Sequence, residues 1–430
     1  MMSILRCTTL ALLVIASAGS IEAEESHETF NRGWQAYSEG RYEEALSIWV
    51  PLAESGDVDT EYYVGELYRD GLGDPATALG WFEKAASRGF VKAQNAMGSA
   101  YLNGSGVEKN AATAFAWFRE ATGSSDPTAQ AYLGWMYETG TGTEQGIDEA
   151  LSWYRLAAKQ DQLWSQKALG RIYAEGKSVE VDQDMSCYWF GRAAEQGDGF
   201  ATYRLGYCFA NGWGRQADDE MAITLFRQAL GSDIADAVVP LQSYAENGEV
   251  EAQFALAELF SEGRLVSRDD KLAVSLAQSA SEQGHSDSLA LLGSFYLRGL
   301  GVPEDHKKAE ELLLRGALAN SLDAKTWLAL LYAESTDAEN SIKAYVWSDL
   351  AINHDSTAPG ADPGDAIVEM LVGFLDGPNM QMMEIQVTME ETLTEPQLLH
   401  AQRLSATWDA LFRERLPGVS VADLSRLAPP

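Results

Sequence analysis

Apolar and small residues recur along this chain at the spacing of a single helical face. An apolar residue followed by glycine or alanine, with an aromatic three residues on, appears at Val64-Gly65 with Tyr68, Met97-Gly98 with Tyr101, Leu133-Gly134 with Tyr137, and Leu169-Gly170 with Tyr173. The same signature returns at Leu205-Gly206 with Phe209, Leu256-Ala257 with Phe260, Leu292-Gly293 with Tyr296, and Leu328-Ala329 with Tyr332. Measured between the glycine or alanine positions, the intervals are 33, 36, 36, 36, 51, 36 and 36 residues. A small residue five positions earlier, such as Ala93, Ala201, Ala252 or Ala324, extends each signature into one stripe of an α-helix. The small residue at its centre lets a second helix approach, which outweighs the ~1 kcal/mol that glycine costs inside a helix.

Each first helix is expected to stop at a glycine three residues after its aromatic, as at Gly71, Gly104, Gly140, Gly176, Gly212, Gly263 and Gly299. A second helix should follow, with a large residue 19 after the reference position and alanine four later. Trp117 and Ala121, Trp153 and Ala157, Trp189 and Ala193, Leu225 and Ala229, and Leu276 and Ala280 fit this spacing. Gln196-Gly197 and Gln283-Gly284 then read as turns into the next copy. Neither helix of a pair can bury its apolar face alone, so the pairs must stack and share a core, giving an all-α solenoid.

The segment Ala131 to Gly140 followed by Glu149 to Ala158 carries the repeat most fully, and it resembles the Sel-one-like repeat family, a longer relative of the tetratricopeptide repeat. The resemblance implies a right-handed α/α superhelix of antiparallel helix pairs over about 58–352. Gly33-Trp34, Tyr37, Gly40 and Trp49 to Ala53 resemble the leading half-repeat of exported bacterial members, covering 24–57. Asp161 departs from the usual glycine between repeats, and only Val302-Pro303-Glu304-Asp305 is a near-complete copy of the family's turn. The 51-residue interval adds material at Ile234 to Gly248. Repeats one to five are therefore expected over 58–231, a joint with an extra helix over 232–250, and repeats six to eight over 251–352. A loop rich in Pro, Gly and Asp, Asp355 to Asp365, opens the remaining 353–430. There the capping box Thr394-x-x-Gln397 predicts a covering helix with Leu398, Ala401, Leu404, Trp408 and Leu411 on one face.

Composition changes the picture in two ways. Among 430 residues, 64 acidic side chains against 31 basic ones give a formal charge of -33, which disfavours nucleic acid and anionic lipid as partners. At the N-terminus, Arg6 precedes an apolar run from Leu10 to Ala16, too short for a spanning helix and matching a secretory signal. Small residues allow cleavage after Ala18 or Ala23, the latter preferred, so 1–23 is expected to be a signal peptide and the mature protein periplasmic or secreted. Cys7 precedes the run and cannot be a lipid acceptor. Cys187 and Cys208 lie almost symmetrically about a turn near residue 198, which favours a disulfide in an oxidising compartment. Two small buried thiols are the alternative.

Candidate chemistry is sparse. The five histidines, His27, His285, His306, His354 and His400, lack metal-ligand spacing, so no metal or cofactor is expected. The Gly-x-Gly pairs all fall between two helices with no preceding strand, so they read as turns. On the first helices, the positions three before, one after and five after the reference residue face away from the core stripe. Most copies place acidic or small residues there, whereas copies three to five place Trp135, Lys167, Arg171, Tyr203 and Tyr207. Aromatic and arginine residues dominate interface hot spots, which makes these five the candidate partner-binding site, for an acidic or aromatic segment. The expected function is a non-enzymatic scaffold that holds protein or peptide partners. The family's cysteine-rich branch, which binds or slowly hydrolyses β-lactams, implies a second reading as a cell-wall or muropeptide-binding protein, although that branch carries a disulfide in every repeat.

Overall fold

The computed structural model describes residues 26–176, 179–335, 337–352 and 378–414. The expected signal peptide, the Asp355 to Asp365 loop, and the side chains of Trp408 and Leu411 lie outside them. Among the described residues, helix is the only regular secondary structure. Two compact units divide the chain, one running through Cys208 with 212–216, the other comprising 209–211 and the chain from Ala217 onward. This division falls within the fifth copy.

In the first unit, α1 (26–38) and α2 (Tyr42–Glu54) precede the hairpins α3–α4 (Val58–Glu66, Pro75–Ser87), α5–α6 (Val91–Asn103, Ala111–Ala121), α7–α8 (Pro127–Thr139, Ile147–Ala158) and α9–α10 (Leu163–Glu175, Gln183–Ala194). Helix α11 (Gly199–Asn211) follows. The leading segment thus holds two helices, and buried Trp49 of α2 donates from its indole Nε1 to the Phe30 carbonyl of α1 at 3.0 Å.

The reference glycines sit where the second helix presses a ring onto the first. A methyl group at Gly134 would lie 2.6 Å from the Tyr154 ring, and one at Gly98 would lie 2.8 Å from Phe118. These rings stand 20 residues after the glycine, one beyond the large residue picked out by spacing. Phe118, Tyr154 and Phe190 are almost fully buried, whereas Trp117 and Trp153 are only half-buried. The alanines at 121, 157 and 193 are buried as well.

Each hairpin loop is closed by the carbonyl of the signature aromatic. Tyr101 accepts from the Asn110 N–H at 2.9 Å, Tyr137 from Gly146 at 3.0 Å and Tyr173 from Asp182 at 3.0 Å. Asn110 and Asp182 then cap the second helix with their side chains. The first copy has a shorter interval because its loop is shorter: the Asp74 N–H meets the Tyr68 carbonyl six residues back, against nine in the copies above, while α3 runs on into a π turn at Leu67–Gly71.

In the second unit, α12 (Asp219–Gly231) is followed by α13 (Val238–Glu246), which accounts for the extra residues at 232–250. The hairpins α14–α15 (Val250–Glu262, Asp270–Glu282), α16–α17 (Ser286–Arg298, His306–Leu318) and α18–α19 (Leu322–Ala333, Ala338–Ile352) come next. Helices α20 (Pro378–Thr392) and α21 (Glu395–Glu414) both pack on α19, with Met382, Ile385, Met389, Leu393 and Ala401 closing its apolar face. The Gln397 side chain accepts from the Thr394 backbone N–H at 2.9 Å, the glutamine half of a capping box.

A polar seam runs through the turns between hairpins. Buried Gln166 donates to the Ala158 carbonyl at 3.2 Å and accepts from Gln196 at 2.7 Å. In the second unit Gln253 repeats this with Ala245 and Gln283. Gln130 also accepts from Gln160, at 2.9 Å. Each bond between glutamines joins residues 30 apart and ties one hairpin's exit turn to its own entry. The amides also satisfy backbone carbonyls that burial would otherwise leave unpaired.

Candidate partner-binding face

The five candidate residues belong to the first helices α7, α9 and α11 of three consecutive hairpins. Trp135 is half-buried and packs against two core clusters, one around Phe118 and Met136 and the other around Tyr154 and Leu169. It is therefore part groove wall and part core. Tyr203 and Tyr207 meet edge to face, with centroids 5.2 Å apart and the Tyr203 hydroxyl donating to Tyr207 at 3.4 Å.

The two cations are already engaged by carboxylates one repeat away. Lys167 Nζ pairs with Asp198 at 2.7 Å, and its ammonium lies 5.9 Å from the Phe200 ring. Arg171 reaches Glu138 of the preceding hairpin, and also Glu175 at 3.6 Å on its own helix. Glu138 in turn accepts from the Tyr154 hydroxyl at 2.8 Å, linking the face to the ring packed under Gly134. Burial and the Glu138 charge push the Tyr154 phenol well above its ordinary pKa, so it acts as a donor at any physiological pH.

The charge of each cation is thus largely met inside the protein. Those partners lie 31 and 33 residues away, close to one period, so laying copies of the sequence in register would have found them. Arg171 nevertheless stays 44% exposed along its side chain, and a guanidinium carries five donors, so a further carboxylate can reach it.

Cys187 of α10 and Cys208 of α11, both buried, form a disulfide with a Cα–Cα distance of 5.8 Å. It joins the second helix of one repeat to the first helix of the next. No group of His, Cys, Asp and Glu suited to a metal ion occurs among the described residues. None of the described helices is long and apolar enough to cross a membrane.

With the repeat geometry established, its kinship follows. The Sel1 repeat pattern matches residues 58–90, 91–122, 127–162, 165–198, 199–230, 250–285 and 286–321, more than half of the chain. The chain belongs to the Sel1 repeat family. The eighth signature, in α18–α19, lies beyond the matched residues. Over 89 residues the chain is 33% identical to an uncharacterised protein of Neisseria meningitidis serogroup B, and it spans about a fifth of that relative's length, 19%. Among solved structures it is similar to a protective antigen of uropathogenic Escherichia coli with an SLR fold, at 23% identity over 94% of this chain and 97% of that one, with a TM-score of 0.48. A Sel1 repeat protein from Oxalobacter formigenes shares 30% identity over 59% of this chain and 99% of its own, with a TM-score of 0.45.

Proposed function

We propose that this protein is a non-enzymatic scaffold of the bacterial envelope, acting after export, and that α7, α9 and α11 hold a segment of a partner protein. Sel1 repeat proteins are typically protein–protein interaction scaffolds, which is the coarse function that family membership carries. The observation that supports this particular site is the change of side-chain type along equivalent positions. One residue after the reference glycine stand Glu66, Ser99, Trp135, Arg171 and Tyr207 in successive copies, so at this position aromatic and arginine side chains are confined to three neighbouring hairpins. Such residues bury apolar area and pair a polar group in the same contact. The partner segment contributes an aromatic side chain against Tyr203 and Tyr207 and a carboxylate to Arg171.

In-cell crosslinking of a tagged copy, followed by mass spectrometry, tests this reading. Replacing Arg171 and Tyr207 together with Ala is expected to lower partner recovery about tenfold, corresponding to ~1.4 kcal/mol, while helicity and Tm stay nearly unchanged. Unaltered recovery sinks the site. Hydrolysis of nitrocefin by the purified protein would instead favour the cell-wall reading.

A further inference from the structure

A second feature of the first unit is independent of those five residues. Between α3, α4 and α5 a cavity of about 210 Å³ opens to solvent. Its floor is apolar, formed by Leu79, Phe82 and Ala100, and its rim is polar, with Ser99, Asn103 and Arg69. Ser99, small where the next three copies place Trp135, Arg171 and Tyr207, lines the cavity. Its volume is below the ~300 Å³ at which pockets for whole small-molecule ligands begin, but it suits one large side chain.

The rim also has a sign. Arg69 is held by Asp70 through Nε and Nη2 at 2.8 and 2.7 Å, and by Glu66 at 2.9 Å. The group of three carries one net negative charge. Burial of the Glu66 carboxylate raises its pKa, so an approaching cation would relieve a desolvated charge. The chain's formal charge of -33 adds long-range attraction for basic segments.

We propose that this cavity receives one large apolar side chain of a protein segment whose adjacent residue is Lys or Arg, the cation lying beside Glu66 and Asp70. The apolar residue is the anchor, and the basic residue sets orientation and salt dependence. This site lies in repeats one and two and does not depend on the reading of repeats three to five.

The test is selection of a phage-displayed library of random peptides on the full chain, followed by titration of the enriched peptides against variants. The expected motif is an aromatic, Leu or Met residue next to Lys or Arg. Ser99→Trp, which puts into this cavity the residue repeat three carries at the same position, should weaken binding at least about tenfold. Asn103→Trp covers the mouth from an exposed helix end and should do the same, keeping the test valid if Ser99→Trp misfolds. Glu66→Gln with Asp70→Asn should flatten the salt dependence. Enrichment of acidic peptides, of no motif, or of peptides unaffected by both tryptophan variants overturns the proposal. Peptides sensitive to Arg171→Ala and indifferent to Ser99→Trp would uphold the site in repeats three to five while removing this one. The opposite pattern would do the reverse. Competition by a free aromatic amine as strong as by the peptides would make the occupant a small molecule and also overturn it.

Discussion

Hairpins of the first unit and α14–α15 of the second solve the same packing problem with different residues, while α16–α17 of the second keeps the glycine and sets Leu313 against Gly293. In α5 to α10, a glycine on one helix receives a bulky ring from its partner, as Gly98 does Phe118, Gly134 Tyr154 and Gly170 Phe190. In α14–α15 the corresponding residues are Ala257 and Ala277, both buried in one cluster. Space removed from one helix is returned to the other. Glycine there makes room for a facing ring, and where the facing residue is alanine the glycine is not needed. The family signature tolerates either solution because both fill the layer.

If the pairs are exchangeable, they must be coupled. Tyr154→Ala alone should cost about 3–5 kcal/mol and Gly134→Ala about 2 kcal/mol, the latter because its methyl group would overlap the ring. Together they recreate the Ala257–Ala277 pair, so the double variant should lose at least ~1 kcal/mol less than the sum. Chaotrope unfolding of the four proteins measures this, and strict additivity would break the comparison.

The units differ next in their covalent ties. The sequence has three cysteines, and the only pair in the described residues, Cys187 and Cys208, belongs to the first unit. A staple closing 21 residues should contribute about 3 kcal/mol, so replacing both with Ala should lower that unit's unfolding midpoint. The second unit's midpoint should not move.

A smaller effect of opposite sign is expected in the second unit. Lys325 of α18 is 3% exposed, donates to Asn320 Oδ1 at 2.8 Å, and has its pKa pushed down to about 8 by burial, with Asp409 opposing that shift. The fold thus prefers the neutral amine, whereas the unfolded chain holds its proton up to about pH 10.5. Stability from this group is fully present above pH 10.5 and is lost as pH falls through 8. Lys325→Met should therefore stabilise the protein at pH 7 by about 1–2 kcal/mol, a gain that shrinks when both proteins are unfolded near pH 10.

The smallest expected effect sharpens the comparison at a turn. Leu265 has φ +64° where Gly106, Gly142 and Gly301 occupy the matching place in other copies with φ of +74°, +73° and +70°. Leu265→Gly should relieve the left-handed strain and, after the added entropy of the unfolded chain, gain about 0.5–1 kcal/mol in an equilibrium melt.

Much of this architecture was legible in the sequence because helical period and repeat period reinforce one another. The stripe through Met97 and Gly98, the stops at Gly104 and Gly140, and the small residues Ala121 and Ala157 needed no knowledge of neighbours. The ring that fills the space beside each glycine was harder to place, because Trp117 and Phe118 are adjacent and equally bulky. Only the rotation of the second helix distinguishes them. The glutamine seam was hidden for another reason. Buried amides look like ordinary turn residues until both partners of a pair, such as Gln166 and Gln196, are seen together. The candidate face was legible as a set of unusual side chains, but the pairing of its cations shows only when neighbouring copies are laid in register, since Glu138 and Asp198 belong to those copies.

The bond between Cys187 and Cys208 also has a mechanical meaning. A chain of packed hairpins pulled by its ends lengthens as each pair peels away. The covalent link removes the chain between the two cysteines from that extension, shortening the fully drawn length by about 65 Å, at ~3.4 Å for each of 21 residues less the span of the link itself. Under load, α10 and α11 would part from their neighbours as a single tethered block, and a reducing environment would restore the missing length.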